Sequence, residues 1–196
     1  MISCILLSAG FSSRFGSPKA LAKLNGETVI EHIQRSLLNT LIEEIIIVLG
    51  NKADKIEPFV LNHKRVKFVY NKDNNFSQTS SFKCGLNCIS QQSKGMMLLP
   101  VDYPFISSAT LQAITAEFDK KSPLIMIPAY KGQKGHPPLF SCELKNEFLQ
   151  LGNDAGLNTV ANNHRENVNI LNVDDKGVIM SFNTKEEFEN LKAQAS

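Results

Sequence analysis

Apolar runs of strand length recur along the chain at residues 2–7, 45–49, 66–70, 96–101, 124–128 and 168–173. Most are apolar at consecutive positions instead of alternating, the pattern of strands covered on both faces. Helical periods lie between them. Over 28–38, Val29, Ile30, Ile33, Leu37 and Leu38 share one stripe, and Thr28 with Glu31 has the spacing of a capping box. Residues 81–89 place Phe82, Leu86 and Ile89 inward, and residues 108–118 do the same with Leu111, Ile114 and Phe118. A last helix over 184–193 repeats the capping box with Thr184 and Glu187. Strands alternating with helices predict an α/β fold with a Rossmann-like, doubly wound, mostly parallel sheet. In such a sheet ligands bind outside the carboxyl ends of the strands, so the loops leaving those ends are where chemistry is sought.

A chain of 196 residues is the size of one domain, and a second is not required. A net charge of +2 produces no field that argues for nucleic acid or a membrane surface as partner. The opening residues MISCILLSAG are apolar too briefly, and without a basic leader, to be a signal peptide or a membrane span; the cytoplasm is the expected location. Cys4, Cys84, Cys88 and Cys142 show neither CxxC spacing nor paired histidines, so they are expected to be free, small buried or half-buried residues.

Candidate chemistry begins at Ser8-Ala9-Gly10-Phe11-Ser12-Ser13-Arg14-Phe15-Gly16-Ser17-Pro18-Lys19, directly after the first strand. The loop lacks GxGxxG, and Lys19 stands three positions past Gly16 instead of next to it, which disfavours a P-loop NTPase. Glycines still permit close backbone approach, successive amides can form a concave anion site, and Arg14 and Lys19 can neutralise phosphates. A solvated turn is the other reading. After the fourth apolar run, Asp102-Tyr103-Pro104 places a single acid at a strand's carboxyl end, suited to a nucleotide-bound Mg2+ that fills its remaining positions with water and phosphate, or else to a turn or helix cap. His136 in GHP and Asp154 in GNDAG are residues of two further loops, where a hydrogen-bonded turn and a helix cap are the plainer roles.

The first loop resembles L-x-[AG]-G-x-S-x-R-[MF]-G-x-x-K, the signature of the nucleotidyltransferases of molybdenum-cofactor biosynthesis and their relatives in isoprenoid and sugar-nucleotide synthesis. DxP at Asp102, GHP at 135–137, the displaced GDxG at 152–156 and the SFNTKEE segment at 181–187 resemble further elements of that family in the same order. The resemblance implies one nucleotidyltransferase domain over residues 1–196, of the nucleotide-diphospho-sugar transferase type. It implies that the Ser8, Ala9 and Gly10 backbone lies near the base, that Arg14 and Lys19 hold the triphosphate, and that Asp102 with Asn183 binds Mg2+. Ser80, Ser81 and Gly85 would contact the nucleoside, and His136 with Asp154 the acceptor. Ser77, Ser181 and Lys185 depart from the family pattern.

The implied reaction is attack of an acceptor phosphate on the α-phosphorus of a nucleoside triphosphate, with Arg14, Lys19 and Asp102 as the catalytic set. LSAG is closer to the LAAG of cytidylyltransferases than to the LAGG of guanylyltransferases, which makes CTP and molybdopterin the expected substrates. Guanylyl transfer, cytidylyl transfer to another small phosphate, and nucleotide binding without transfer are the alternatives.

Overall fold

The computed structural model describes residues 1–73, 77–152 and 155–195. Its strands are β1 (Ile2–Ser8), β2 (Lys23–Leu24), β3 (Glu27–Thr28), β4 (Glu44–Leu49), β5 (Val66–Tyr70), β6 (Gly95–Pro100), β7 (Ile125–Tyr130), β8 (Gln133–Lys134), β9 (Leu139–Ser141) and β10 (Val168–Asn172). Its helices are α1 (Val29–Leu38), α2 (Ala53–Ile56), α3 (Gln78–Leu86), α4 (Ser108–Lys121), α5 (Lys145–Gln150), α6 (Asn158–Asn163) and α7 (Lys185–Ala195).

The most continuous apolar runs, β1, β4, β6 and β7, are inner strands that bury both faces, whereas β5 and β10 stand at the two edges of the sheet and are only partly buried, unlike the expectation of cover on both faces. Alternate residues of β1 divide between two cores: Cys4 and Leu6 pack toward α1, α4 and α7, whereas Ile5 and Leu7 pack toward α3, α5 and α6. The main sheet runs β10-β7-β9-β6-β1-β4-β5, with β8 paired to β7. β1 is parallel to β4 and β6, β4 to β5, and β10 to β7. The chain steps from β1 out to β4 and β5, then returns to the other side of β1 with β6. Strand order therefore reverses between β1 and β6, the place where doubly wound sheets open a ligand crevice. In register, Leu7 pairs with Pro100, so the loops that follow these two strands start side by side.

The capping boxes form as expected. Thr28 Oγ1 accepts from Glu31 N at 3.3 Å while the Glu31 carboxylate accepts from Thr28 N at 2.9 Å. Three details differ from the sequence expectation. Strand β9 runs antiparallel between β6 and β7; at three residues it is too short to show a period. The β2–β3 hairpin turns at Asn25 (φ 50°) and Gly26 (φ 88°), an Asn-Gly signal for a two-residue turn that the helical stripe beginning at Val29 overshadowed. Helix α3 begins at Gln78, not at 81, because Ser77 caps it by accepting from Ser80 N at 3.1 Å. The four cysteines are free, Cys4 buried and the others half-buried. Among the described residues no helix is long and apolar enough to cross a membrane.

Candidate active site

The loop leaving β1 is built around Ser12, which takes a left-handed φ of 52°. Its carbonyl accepts from Phe15 N at 3.0 Å and Gly16 N at 3.1 Å, and its hydroxyl accepts from Lys19 N at 3.2 Å. Gly16, at φ 77°, supplies the second left-handed position of this tight turn. Gly10 serves differently: nothing lies within 4 Å of where its Cβ would stand, so its lack of a side chain keeps that part of the crevice open. Phe15 anchors the loop. Its buried ring meets Phe182 edge-on at 5.4 Å and Phe188 at 6.1 Å, and those two rings lie 4.6 Å apart. The cluster fastens the first loop to the segment preceding α7, a coupling with no signal in the spacing of either motif.

Above these rings the polar groups converge. Lys19 Nζ lies 3.0 Å from Asp102 Oδ2 and donates to Asn183 Oδ1 at 3.0 Å; Arg14 Nη2 donates to the same amide oxygen at 3.1 Å. Two cations with no acceptor of their own require that the oxygen of Asn183, not its NH2, faces them. The backbone holds this arrangement in place, since Phe182 N donates to Asp102 O at 3.3 Å. The Glu187 carboxylate accepts from Asn183 N at 2.5 Å and Thr184 N at 3.2 Å, while Thr184 Oγ1 accepts from Glu187 N at 3.1 Å. The Asn183 amide and then the Thr184 amide hold the Glu187 carboxyl below its ordinary value, with Arg14 and Lys19 adding to this. Lys185 is the first residue of α7, a position that needs no proline once Thr184 and Glu187 cap the helix. Ser181 hydrogen-bonds Tyr103.

A cavity of about 340 Å³ opens over these groups, lined by Ser8, Ala9, Gly10, Arg14, Lys19, Ser81, Asp102 and Asn183 among others. Asp102 is the one carboxylate lining it among the described residues. Helix α4 is capped by Ser107, which accepts from Thr110 N at 3.1 Å, so Asp102 is not a helix cap. The Ser8 hydroxyl is buried without a hydrogen-bond partner among the described residues.

Two residues expected at the nucleoside stand elsewhere. Ser80 lies behind the crevice wall, where Oγ accepts from Asn71 Nδ2 at 3.1 Å and donates to Ser77 O at 3.1 Å. Gly85 packs into the core: a Cβ there would stand 2.4 Å from Ile5 Cγ2 and 3.1 Å from Val48 Cγ2. Ser77 and Gln78, around the start of α3, line the first cavity instead. Ser77, a departure from the family pattern, carries its own signal as a serine just ahead of a helix.

A second cavity of about 470 Å³ includes Gln78, which the two cavities share, and Tyr103, the neighbour of Asp102. His136 lines it, with its ring 4.3 Å from that of Tyr103 and Nδ1 buried without a partner among the described residues. Burial lowers the His136 pKa, against which Asp102 and the Leu98 backbone favour the proton. The backbone enforces its position: His136 N donates to Val178 O at 2.7 Å, and a Cβ on Gly135 would meet that oxygen at 2.2 Å. Asp154 lies outside the described residues.

No group of three or more His, Cys, Asp or Glu side chains able to hold a metal occurs among the described residues. The available donors are one carboxylate, Asp102, and one amide oxygen, Asn183, both hard and both now engaged by Lys19. Such a set suits a Mg2+-like cation that brings its own phosphate and water ligands, and does not suit a cation held by protein alone.

Comparison with known proteins gives a family match and a fold match. Residues 4–168 match the model of the MobA-like NTP transferase domain. A relative in Bacillus cereus (strain G9842), named "Probable molybdenum cofactor guanylyltransferase", is 30% identical over 141 residues, which are 70% of this chain and 65% of the relative. The match thus spans just under two thirds of that relative's length. Rv0371c of Mycobacterium tuberculosis H37Rv superimposes with a TM-score of 0.85 at 24% identity, covering 98% of this chain and 97% of its own. Its complex with manganese gives 0.80 at 24% identity, covering 98% of each chain. A nucleotidyl transferase of Methanothermobacter thermautotrophicus gives 0.84 at 22% identity, covering 100% of this chain and 97% of its own. The structural likenesses establish the fold.

Proposed function

The chain belongs to the MobA-like NTP transferase family, and on that premise we propose that it transfers a nucleotidyl group from a nucleoside triphosphate to the phosphate of molybdopterin. The observation that carries this reading is the meeting of Arg14, Lys19, Asp102 and Asn183 in one crevice at the β1/β6 switch point.

An oxygen of the acceptor phosphate forms a bond to the α-phosphorus, the bond from that phosphorus to the bridging oxygen breaks, and pyrophosphate leaves with the electron pair. The acceptor phosphate is ionised at neutral pH, so the residues have no proton to remove and no nucleophile to activate. Their work is positioning and charge neutralisation. Arg14 offers a planar fork to phosphate oxygens and Lys19 a mobile point charge, together stabilising the leaving pyrophosphate. Open space at Gly10 lets the loop backbone approach the nucleotide. A divalent cation such as Mg2+, held by Asp102 and Asn183, supplies further neutralisation between phosphates when bound. His136, kept neutral by burial, positions the acceptor from the second cavity. Both substrates are small cytoplasmic molecules, which fits a cytoplasmic protein.

CTP is the nucleotide we assign, on Ala9 in LSAG. The methyl of Ala9 fills the space beside Gly50, 2.7 Å from where a Cβ there would stand. GTP is the second reading, supported by the guanylyltransferase name of the Bacillus relative. The test is pyrophosphate release by the full chain with Mg2+, molybdopterin and either CTP or GTP. Release with one of them is expected; nucleotide binding without release on this acceptor would make the protein a binder and not a transferase.

A further inference from the structure

The second cavity combines an apolar floor with a polar rim. Leu98, Ile127 and Phe140 form the floor on the sheet face, while Asn158, Asn162 and Arg165 stand on the rim. Spacings of four and three residues bring these last three to one side of α6 and the turn that follows it. Their side chains are exposed and have no hydrogen-bond partner among the described residues. Their neighbours are committed elsewhere: Asn163 Nδ2 donates to Glu147 Oε1 at 2.9 Å, and His164 Nε2 lies 2.7 Å from Glu147 Oε2. Helix α6 and the turn after it thus spend one side on anchorage and place two carboxamides, from α6, and one guanidinium, from the turn, at the cavity. No carboxylate lines the cavity among the described residues.

We propose that Asn158 and Asn162 read the edge of a planar heterocycle in the acceptor, one that carries adjacent lactam and amidine groups as in a 2-amino-4-oxopyrimidine ring. The assignment rests on the second cavity being the acceptor side of the proposed transferase. A carboxamide offers a donor and an acceptor side by side and pairs with two adjacent ring groups at once. The Arg165 guanidinium donates to a ring carbonyl. A flat ring lays its faces on Leu98, Ile127 and Phe140 and leaves only its edge to be paired. A polyol phosphate of similar volume would set its hydroxyls against that apolar floor with nothing to pair them. The floor therefore selects against sugar-like acceptors, and the rim selects among rings.

The experiment is a fluorescence titration of the full chain with neopterin 3′-monophosphate, comparing the wild-type protein with the double variant Asn158→Ala/Asn162→Ala. Saturable quenching is expected for the wild type, with affinity reduced about 10- to 100-fold in the double variant, the range of losing one to two paired contacts. The variant's unfolding midpoint and its nucleotide-induced thermal shift should match the wild type, since both residues are exposed and neither lines the first cavity. Displacement of the pterin by guanosine 5′-monophosphate would support the same edge chemistry with a purine as its source. Absence of saturable wild-type binding, unchanged affinity in the double variant, or displacement by glycerol 3-phosphate at equal concentration would overturn the inference. Pterin binding that needs both asparagines, without pyrophosphate release from molybdopterin, would overturn the transfer reaction and leave this inference standing. Release from molybdopterin with a KM indifferent to both asparagines would do the reverse.

Discussion

Lys19 and Asp102 lie 83 residues apart in the chain, yet their charged atoms are 3.0 Å apart at the switch point of the sheet. This pair joins the loop leaving β1 to the acid two residues past the end of β6, and in the proposed reaction a metal-bound triphosphate would exchange that contact for its own oxygens. Lys19→Ala and Asp102→Ala should each reduce pyrophosphate release by at least about 100-fold, the scale of losing one preorganised charge at a transition state. Stability should respond as well. The side chains are only 14% and 23% exposed, so leaving one partner uncompensated is expected to cost on the order of 1–3 kcal/mol. Activity assays alongside thermal unfolding separate the two effects; a variant with full turnover would remove that residue from the mechanism.

Asn183 gives one oxygen to both Arg14 and Lys19. Asn183→Ala removes the acceptor that keeps the two cations together and one of the two donors assigned to the metal. Mn2+ titration in the presence of nucleoside triphosphate, followed by electron paramagnetic resonance, should show affinity weakened about tenfold or more. Asn183→Asp should instead raise Mn2+ affinity in the absence of nucleotide, because a second carboxylate lets the protein hold a hard cation with less help from phosphate. Equal Mn2+ binding by all three proteins would place the metal elsewhere.

The main sheet was legible because its inner strands β1, β4, β6 and β7 are buried on both faces and spell themselves as nearly unbroken apolar runs, while the edge strands β5 and β10 keep enough apolar positions to be read beside them. Strand β9 was hidden for the opposite reason: Leu139–Ser141, at three residues, is too short to display a repeating pattern. Arg14, Lys19, Asp102 and Asn183 could be read from motif spacing, since each sits at a fixed distance from a strand end or helix start. Motif matching could not separate a glycine that borders the open crevice, Gly10, from one that admits a neighbouring side chain, Gly85, because both are written with the same letter. Nor could it find the packing of Phe15 on Phe182, which exists only once the two ends of the chain have met.

Gly85 tests that distinction. Gly85→Ala would put a methyl into the space of Ile5 and Val48, and overpacking of this kind costs about 1–3 kcal/mol. The unfolding midpoint should fall by roughly 2–12 °C for a chain of this size, while the nucleotide-induced shift of the midpoint persists. A midpoint that holds while the nucleotide shift disappears would return Gly85 to the binding site.

A base preference is measurable before any acceptor is in hand. A ligand bound only by the folded state, present at about 100 times its Kd, adds about 2.7 kcal/mol, or roughly 5–11 °C in midpoint. With Mg2+ present, CTP should give a shift of that size at a concentration where GTP gives a smaller one. The opposite order would move the assignment to guanylyl transfer.

His136 sets an expectation for mild acid. Burial holds its folded-state pKa below the ordinary 6.5, with Asp102 and the Leu98 backbone only partly opposing this. Between those two values the unfolded chain binds a proton that the folded chain refuses, so stability declines as pH falls through about 6.5 and is fully present above it. The carboxyls of Glu31, Glu44, Glu147 and Glu187 are depressed below their ordinary 4.5, so their contribution is lost only at more acidic pH. The wild-type midpoint should therefore drop between pH 7.5 and 5.5, and His136→Asn should flatten that part of the profile, since an amide fills much of the ring's place without taking up the proton. A variant whose profile runs parallel to the wild type across this window would show that the buried ring is not the group resisting protonation.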